Sequence, residues 1–371
     1  MMNLSYWEYK TWLSNIDYTI VGSGIVGLNT ALQLKKRFPQ AKVLVLEKGI
    51  LPQGASTKNA GFACFGSISE ILSDLKKHTE EEVLQLVQNR WEGIQLLRAN
   101  LGDKTIGYRN LGGHEVFLKE HQELYQECQS QLPRVNSLLK AVFKTEAFKV
   151  EDNIFNFKGI QQQYITSTVE GQIDTGKMME SLVAKVQQSG VTILNAITVE
   201  SFTENSSHVS VKTNCFEFIT KNLLLATNGF AAELIAENVK PSRAQVIITK
   251  PIPDLKIKGT FHLDEGYYYF RNIDDRILLG GGRNLNFKEE ETAAFGLTPL
   301  IQNSLEEILA TVILPSIPFE IDRRWSGIMG TGTHKRPIVK PLSDRVFCGV
   351  RMGGMGIAIG SLVGRNLADL V

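Results

Sequence analysis

The chain begins with apolar runs that alternate with a helical pattern. Residues 18–21, YTIV, are apolar or β-branched, and after a glycine-rich turn the run IVGLNTALQLKKRF has apolar residues at helical spacing. A second apolar run, AKVLVLEKG, contains Glu47 near its end. This order predicts a strand, a helix and a second strand of a parallel sheet.

The pattern changes twice further along the chain. Between residues 67 and 149 the apolar spacing is helical, and Ser67 with Glu70 and Thr79 with Glu82 predict two capping boxes. From about 240 to 324 the pattern is strand-like, as in RAQVIITKPI, GYYYF and RILLGGGR, with Asp274-Asp275 as a hairpin turn. We therefore expect an α/β fold, with a Rossmann-like domain and a second, largely antiparallel-sheet domain that binds substrate.

Length and charge limit the classes of function. A chain of 371 residues is long enough for about two domains. The 40 basic and 39 acidic residues give a net charge of +1, which offers no electrostatic footprint for nucleic acid or an anionic membrane. Small-molecule chemistry is the default expectation, with no nucleic-acid partner.

The cysteines and the N-terminus indicate the compartment. The four cysteines are widely spaced without a C-x-x-C motif, which predicts neither a metal site nor a disulfide framework. The start of the chain lacks a signal-peptide pattern, and no uninterrupted stretch of about 18 apolar residues occurs. We expect a soluble, cytoplasmic protein with no transmembrane segment.

The glycine-rich turn predicts a dinucleotide site. It reads Gly22-Ser23-Gly24-Ile25-Val26-Gly27: the first glycine allows the tight turn, the second lets backbone approach a pyrophosphate, and the third lets helix pack on strand. Glu47 follows at about the distance expected for a carboxylate that binds an adenosine ribose. A glutamate here disfavours NADP relative to NAD or FAD.

The segment after Glu47 distinguishes these two cofactors. Residues 48–67, KGILPQGASTKNAGFACFGS, are rich in Gly, Ala and Ser, where a plain NAD domain would start another βα unit. Small residues allow backbone to approach a large planar ligand closely. The alternative interpretation of this small-residue segment is a surface loop.

Several motifs together resemble the D-amino-acid oxidase-like family of FAD-dependent oxidoreductases, which includes glycine oxidase and sarcosine oxidase. Residues 56–61, STKNAG, are similar to the family's S-x-x-N-A-G segment along the flavin. Residues 112–118, 170–202, 223–231 and 346–371 are similar, in order, to its later motifs. The resemblance implies that FAD is bound by Gly22, Ser23, Gly24, Ile25, Val26, Gly27, Glu47, Lys48, Ser56, Asn59, Ala60, Gly61, Phe62, Val199, Ala226, Thr227, Gly229, Gly353, Gly354, Met355, Gly356 and Ile357.

The resemblance also implies a division of the chain. The FAD-binding domain would comprise residues 1–90, 150–235 and 325–371, and the substrate domain residues 91–149 and 236–324. In the last part of the FAD-binding domain, the helix that follows Gly353–Ile357 would direct its N-terminus towards the flavin.

Substrate-site candidates follow from the same resemblance. Tyr268 matches a tyrosine that faces substrate, with Phe270 on the same face of its strand. Leu278 stands where sarcosine oxidases have a lysine that favours reaction with oxygen. Met329 stands where glycine oxidase-like members have an arginine that grips the substrate carboxylate, and His334 follows it near the entrance.

Two further expectations concern the arginine missing at position 329 and the way in which FAD is attached. Arg283, Arg324 and Arg351 are the alternatives to the missing arginine. Because Ser326 and Gly327 stand near the position of the cysteine that attaches flavin covalently in sarcosine oxidases, we expect non-covalent FAD.

The resemblance implies dehydrogenation of a small amine or amino acid to an imine, with electrons passing to oxygen or another acceptor. Two alternatives remain open. One is a flavin dehydrogenase of a hydroxy acid or polyol that feeds a quinone, and the other is a non-catalytic FAD-binding interaction protein.

Overall fold

A mixed eight-stranded sheet, here called the first sheet, forms the centre of the first domain. The structure, a computed structural model, describes residues 3–371. Five strands of the first sheet are parallel, and three more extend it with antiparallel pairing. In spatial order the main path is Ile338–Pro341, Val346–Val350, Glu217–Leu225, Ile16–Val21, Val43–Leu46 and Thr192–Leu194, with Val209–Thr213 and Val199–Glu204 added beside Glu217–Leu225.

Helices cover one face of this first sheet. Ile25–Arg37 packs against the C-terminal helix Gly356–Ala368, which in turn packs on Glu80–Leu101. Thr175–Gln188 completes this layer. Ile20, Val45 and Val363 are among the buried residues between helices and sheet, and their burial holds the glycine-rich turn at the sheet's edge.

A second eight-stranded sheet is antiparallel except for one pair. That parallel pair joins Thr260–Leu263 to Gly113–Glu115. The spatial order is Ile321–Thr331, Lys240–Thr249, Arg276–Gly281, Tyr268–Ile273, Thr260–Leu263, Gly113–Glu115, Gln163–Ser167 and Phe148–Asp152.

The second sheet has two different faces. One face packs on the helix Pro299–Ile308, with Phe261, Phe270 and Leu305 in a common core. The opposite face lies against the small-residue segment, where a two-stranded sheet pairs Phe62–Ala63 with Gly171–Gln172. This second face is the one that can border a ligand held by the first domain.

The helical region also follows the predicted pattern. Ser67 caps Ile68–Leu75 and Thr79 caps Glu80–Leu101, each with the reciprocal glutamate contact of a capping box. The other helices are Tyr6–Glu8, Gln122–Phe143 and Phe287–Glu290. Short 3₁₀ or π turns occupy Tyr9–Leu13, Ala55–Thr57, Lys119–His121, Asn228–Glu233, Asp264–Gly266, Arg283–Leu285 and Leu309–Ile313.

No helix in residues 3–371 is long and apolar enough to cross a bilayer.

The sheets divide the chain differently from the expected domain boundaries. Residues 150–168 and 325–331 lie in strands or turns of the second sheet, although they were assigned to the FAD-binding domain. The helix Glu80–Leu101 packs on the C-terminal helix of the first domain, beyond the boundary at residue 90. Local pattern identifies a strand but does not say which sheet it joins.

The strand-like region from 240 to 324 is also interrupted. The hairpin turn at Asp274 and Asp275 is present, and both residues have positive φ. However, Pro299–Ile308 is an amphipathic helix that begins with proline at its first position.

Candidate functional site

The glycine-rich turn has the conformation that its motif predicts. Gly22 has φ of +105°, and a Cβ there would lie 2.8 Å from the carbonyl oxygen of Ala226. A Cβ on Gly27 would collide with the carbonyl of Gly22. The helix begins at Ile25, whose N–H donates to Ser56 Oγ at 2.9 Å. The turn therefore directs a helix N-terminus at the start of the small-residue segment.

Glu47 is held in a fixed orientation at the end of the second parallel strand. Its side chain is buried and accepts hydrogen bonds from the Ser23 N–H at 3.1 Å and the Ser23 hydroxyl at 2.8 Å. The Gly49 N–H donates to its other oxygen at 2.9 Å. A carboxylate fixed beside the glycine-rich turn is placed for the sugar of a dinucleotide.

A cavity of about 100 Å³ opens between these groups. Nine of the predicted cofactor residues line it: Gly22, Gly24, Glu47, Lys48, Ser56, Val199, Ala226, Thr227 and Gly229. The Thr227 hydroxyl is buried without a hydrogen-bond partner in the part of the chain that the structure describes. Because buried polar groups normally have partners, this hydroxyl fits contact with a polar ligand.

Lys48 borders the same cavity from the surface. Its Nζ lies 4.2 Å from the centre of the Phe230 ring and 3.4 Å from the Glu233 carboxylate. The remaining turn residues, Ser23, Ile25, Val26 and Gly27, build the turn and the first helical residues rather than line the cavity.

The predicted flavin-contacting residues 59–62 form a compact turn outside this cavity. Asn59 Oδ1 accepts from the Gly61 N–H at 2.8 Å and from the Thr175 hydroxyl at 3.0 Å. Ala60 is buried. Phe62 makes edge contacts with the rings of His262 and Tyr269, at centroid distances of 5.3 and 5.7 Å.

The second glycine turn approaches the small-residue segment from the C-terminus. Gly353 and Gly354 have positive φ, and the C-terminal helix starts at Gly356. Among residues 3–371, and apart from the adjoining residues of the chain itself, no heavy atom lies within 4 Å of a Cβ built on Gly353 or Gly356. Met355 Sδ is 4.0 Å from Cys64 Sγ, so the two segments meet. Ile357 is buried against the neighbouring helices.

The two groups of residues fit the two halves of FAD. The cavity with Glu47 and the first helix N-terminus suits the adenosine and pyrophosphate. The open space beside Gly353 and Gly356, with the unpaired first N–H groups of the helix, suits a planar group that gains negative charge.

The structure corrects the face assigned to Tyr268. Tyr268 and Phe270 point into the core under the helix Pro299–Ile308, and the Tyr268 hydroxyl is 3.1 Å from Ser304 Oγ. Tyr269 points to the opposite face, towards Phe62, and burial raises its pKa to about 12 against the opposing influence of positive Arg283. Tyr269, rather than Tyr268, is therefore the tyrosine on the face of this strand towards the candidate flavin site.

Leu278 and Met329 both lie on the side of the candidate flavin site. Leu278 is buried in a small apolar cluster with Ala60 and Val246. Met329 Sδ is 3.5 Å from the position of a Cβ on Gly354. The wall of the site at these two positions is thus apolar.

The candidate arginines have different surroundings. Arg324 bonds to Glu306 at 2.8 Å and to Gln302 at 2.9 Å, and Arg351 donates to the carbonyls of Arg336 and Asn238. In residues 3–371, Arg283 makes no salt bridge within 4.0 Å, and its guanidinium lies 5.0 Å from the Phe287 ring. His334 is exposed on a loop.

A buried polar cluster that sequence reasoning missed lies behind Phe62. His262 Nε2 and Glu170 Oε1 are 2.8 Å apart, and the Thr260 hydroxyl donates to the same oxygen at 2.6 Å. Burial disfavours a charged His262, but Glu170 outweighs burial and raises the His262 pKa to about 9. The two residues are 92 positions apart, so no local motif could have indicated the pair.

Cys64 completes this cluster. Its Sγ, a Glu170 oxygen and a His262 ring nitrogen all lie within 4.8 Å of one another. Burial raises the pKa of the Cys64 thiol well above its usual range. We interpret the group as an ion pair beside a neutral thiol.

The chain belongs to the family of FAD-dependent oxidoreductases known as DAO, whose model matches residues 17–370. This agrees with the α/β fold and the flavoprotein identity expected from the motifs.

Individual proteins are similar to this chain in sequence or in fold. A protein of Haemophilus influenzae named "Probable oxidoreductase OrdL" is 22% identical over 97% of this chain and 84% of its own length. The solved structure of glycine oxidase from Geobacillus kaustophilus is similar with a TM-score of 0.76, at 19% identity over 95% of this chain and 94% of that one. The structure of L-proline dehydrogenase from P. horikoshii has a TM-score of 0.75, at 16% identity over 96% and 93% of the two chains.

Proposed function

We propose that this protein holds FAD non-covalently and dehydrogenates a small amine that carries a carboxylate. Arg283 is the observation on which the donor class depends, because it is the one of the three candidate arginines whose guanidinium has no hydrogen-bond or salt-bridge partner within residues 3–371. Together with Tyr269 it would replace the arginine that Met329 displaces. A guanidinium that is free to form two parallel hydrogen bonds suits a carboxylate.

The cofactor-binding residues are proposed from their surroundings. The glycine-rich turn, Glu47 and Thr227 would hold the adenosine and pyrophosphate. Residues 59–62 and 353–357 would hold the flavin end. Ser326, whose hydroxyl accepts from the Gly296 N–H, and Gly327, which packs on Lys58, offer no thiol for covalent attachment.

The protein itself would contribute to the reaction by orienting the donor and by excluding water from the site. When bound, FAD would supply the acceptor for the hydride equivalent of the C–H bond beside the amine nitrogen, and the proton of that nitrogen would pass to water. Phe62, Leu278 and Met329 would exclude water beside it, while Arg283 and Tyr269 fix the carboxylate so that the C–H bond is aligned. The resulting imine would hydrolyse in water. His334, on its exposed loop, would at most border the entrance.

Leu278 bears on the electron acceptor. A buried leucine stands at the position where a lysine would favour reaction with oxygen. We therefore favour an acceptor other than oxygen, with oxygen as the slower alternative.

The test compares a substrate carboxylate with its uncharged amide. Arg283→Met should raise KM for an amino-acid donor about 10- to 100-fold, the loss of about 1.5–3 kcal/mol expected for a charge-assisted hydrogen bond. The KM of the corresponding amino-acid amide should change less than threefold, and Arg283→Lys should recover part of the loss.

Arg324→Met is the matched control, since Arg324 is paired with Glu306. Equal losses on the acid and the amide, or an effect of Arg324→Met as large as that of Arg283→Met, would remove Arg283 from the substrate site.

A second candidate is oxidation of a 2-hydroxy acid. L-2-hydroxyglutarate dehydrogenase of Escherichia coli is 21% identical over 74% of this chain. The proposed carboxylate contact at Arg283 would serve such a donor equally well.

A further inference from the structure

Arg271 is a buried cation on the face of the second sheet that covers the small-residue segment. Its side chain is 2% exposed. Nη1 donates to the carbonyl oxygens of Gly61 at 3.0 Å and Ile173 at 2.6 Å. Nε is buried and has no hydrogen-bond partner among residues 3–371. Burial lowers the Arg271 pKa to about 10, so the guanidinium stays charged at neutral pH.

This charge has no directly bound counter-ion. Within residues 3–371 no carboxylate oxygen lies within 4.0 Å of its nitrogens. The more distant Asp174 and Asp274 attract it, and Arg109 repels it. On the neighbouring strand, the charge of His262 is already matched by Glu170.

A second buried arginine in the same sheet, Arg243, has a carboxylate partner. Arg243 forms two hydrogen bonds to Glu290, at 2.9 and 2.7 Å. Burying a cation without such a partner costs several kcal/mol. The free-energy cost of burying the Arg271 charge would be offset if that charge attracts a bound ligand that becomes negative.

Gly61 connects this cation to the candidate flavin site. It lies in the turn of residues 59–62, has φ of +75°, and leaves no room for a side chain, because a Cβ would lie 2.6 Å from Arg271 Nη1. The guanidinium is therefore in contact with the backbone of the segment that would lie along the flavin.

We infer that Arg271 is an electrostatic positioning residue that makes bound FAD easier to reduce, by stabilising the negative charge that the flavin gains. The inference rests on the FAD-binding part of the proposed function and does not depend on the identity of the donor. A protein that binds FAD and oxidises no amine would overturn the proposed donor and leave this inference standing.

The test is the midpoint potential of the bound flavin, measured against a reference dye during slow anaerobic reduction. Arg271→Gln removes the charge and keeps a donor for the Gly61 carbonyl. It should lower the ratio of reduced to oxidised flavin at a fixed potential at least tenfold, which corresponds to about 30 mV for two electrons. Arg271→Lys keeps the charge and should stay within threefold of the unaltered protein.

Arg276→Met is the control, because Arg276 lies on the same hairpin but pairs with Asp322 near the surface. If Arg271→Gln weakens FAD binding or lowers the melting temperature without moving the potential, Arg271 is only a structural clamp and the inference is overturned. If Arg271→Gln does not retain FAD, the Arg271→Lys variant is the deciding one. A tenfold change in its ratio of reduced to oxidised flavin, despite the retained charge, contradicts the inference. A change below threefold supports it.

Discussion

Tyr268 and Tyr269 are adjacent in one strand and point to opposite faces of the second sheet. The Tyr268 hydroxyl lies 3.1 Å from Ser304 Oγ in the core beneath a helix. The Tyr269 ring lies 5.7 Å from that of Phe62, on the face towards the candidate flavin site. Gly280, opposite Tyr269 in the next strand, leaves room for the phenol ring.

This arrangement predicts different effects for the two tyrosine-to-phenylalanine changes. Tyr269→Phe should lower kcat/KM for the true donor about tenfold or more, through loss of a hydrogen bond to a charged group worth about 1.5–3 kcal/mol. Tyr268→Phe should leave turnover within twofold and lower the free energy of unfolding by about 1 kcal/mol. Steady-state kinetics and chemical denaturation of both variants measure this, and a larger kinetic effect from Tyr268→Phe would restore the assignment made from sequence.

Gly24 should control cofactor binding. A Cβ there would lie 2.9 Å from Ser56 Oγ, so Gly24→Val would crowd the helix N-terminus that receives the pyrophosphate. The purified variant should contain less than about a tenth of the FAD of the unaltered protein, an occupancy loss of roughly tenfold or about 1.4 kcal/mol.

Gly176→Ala is a control for Gly24→Val, because Gly176 lies in the first turn of another helix and, among residues 3–371 outside its own helix, its Cβ would meet Asp174 Oδ1 at 3.3 Å. Absorbance of FAD released by denaturation gives the occupancy of both variants. A fully yellow Gly24→Val protein would show that the cofactor is placed incorrectly.

The His262–Glu170 pair predicts a loss of stability at alkaline pH. Burial opposes the charge, Glu170 favours it, and the His262 pKa rises from the ordinary 6.5 to about 9. Folding therefore binds a proton at intermediate pH: the stabilisation is complete below about 6.5 and disappears as the pH rises through 9. The melting temperature should fall between about pH 6 and about pH 10, two values that bracket this window.

His262→Asn should flatten that pH dependence. His208→Asn should leave it unchanged, because the ring of His208 forms its hydrogen bonds to the nearby exposed residues Asn205 and Ser207. An identical slope in the His262 variant would mean that other groups cause the alkaline loss.

Leu278 predicts slow reaction with oxygen. After photochemical reduction without air, the flavin should remain reduced for minutes once oxygen is admitted, because a leucine packed against Ala60 and Val246 stands at this position in place of a lysine. Stopped-flow absorbance measures the return of the oxidised flavin. Return within seconds would identify an oxidase despite Leu278.

Local motifs predicted the conformation of the glycine-rich turn and the position of Glu47 beside it. The glycine-rich turn and Glu47 are close in sequence and their geometry is set by one βαβ unit, so the spacing specifies the structure. The face of Tyr268 could not be predicted, because residues 267–270 are all aromatic and alternation of polar and apolar residues is absent.

Long-range contacts were beyond sequence reasoning. Arg271 bonds to Gly61 across 210 positions and His262 to Glu170 across 92, and neither pair has a spacing that marks it. The apolar pattern of residues 163–167 indicates a strand but does not show that Gly113–Glu115 and Phe148–Asp152 are its neighbours in the sheet.

The most direct test of the proposed function is anaerobic mixing of the FAD-loaded protein with a panel of small amino acids and N-alkyl amino acids, beside the matching 2-hydroxy acids. Loss of the visible absorbance of oxidised flavin reports dehydrogenation without requiring the electron acceptor. We predict that at least one amino-acid donor bleaches the flavin and that its hydroxy-acid counterpart does not. Bleaching by a hydroxy acid alone, or by no donor at all, would contradict the assignment of an amine substrate.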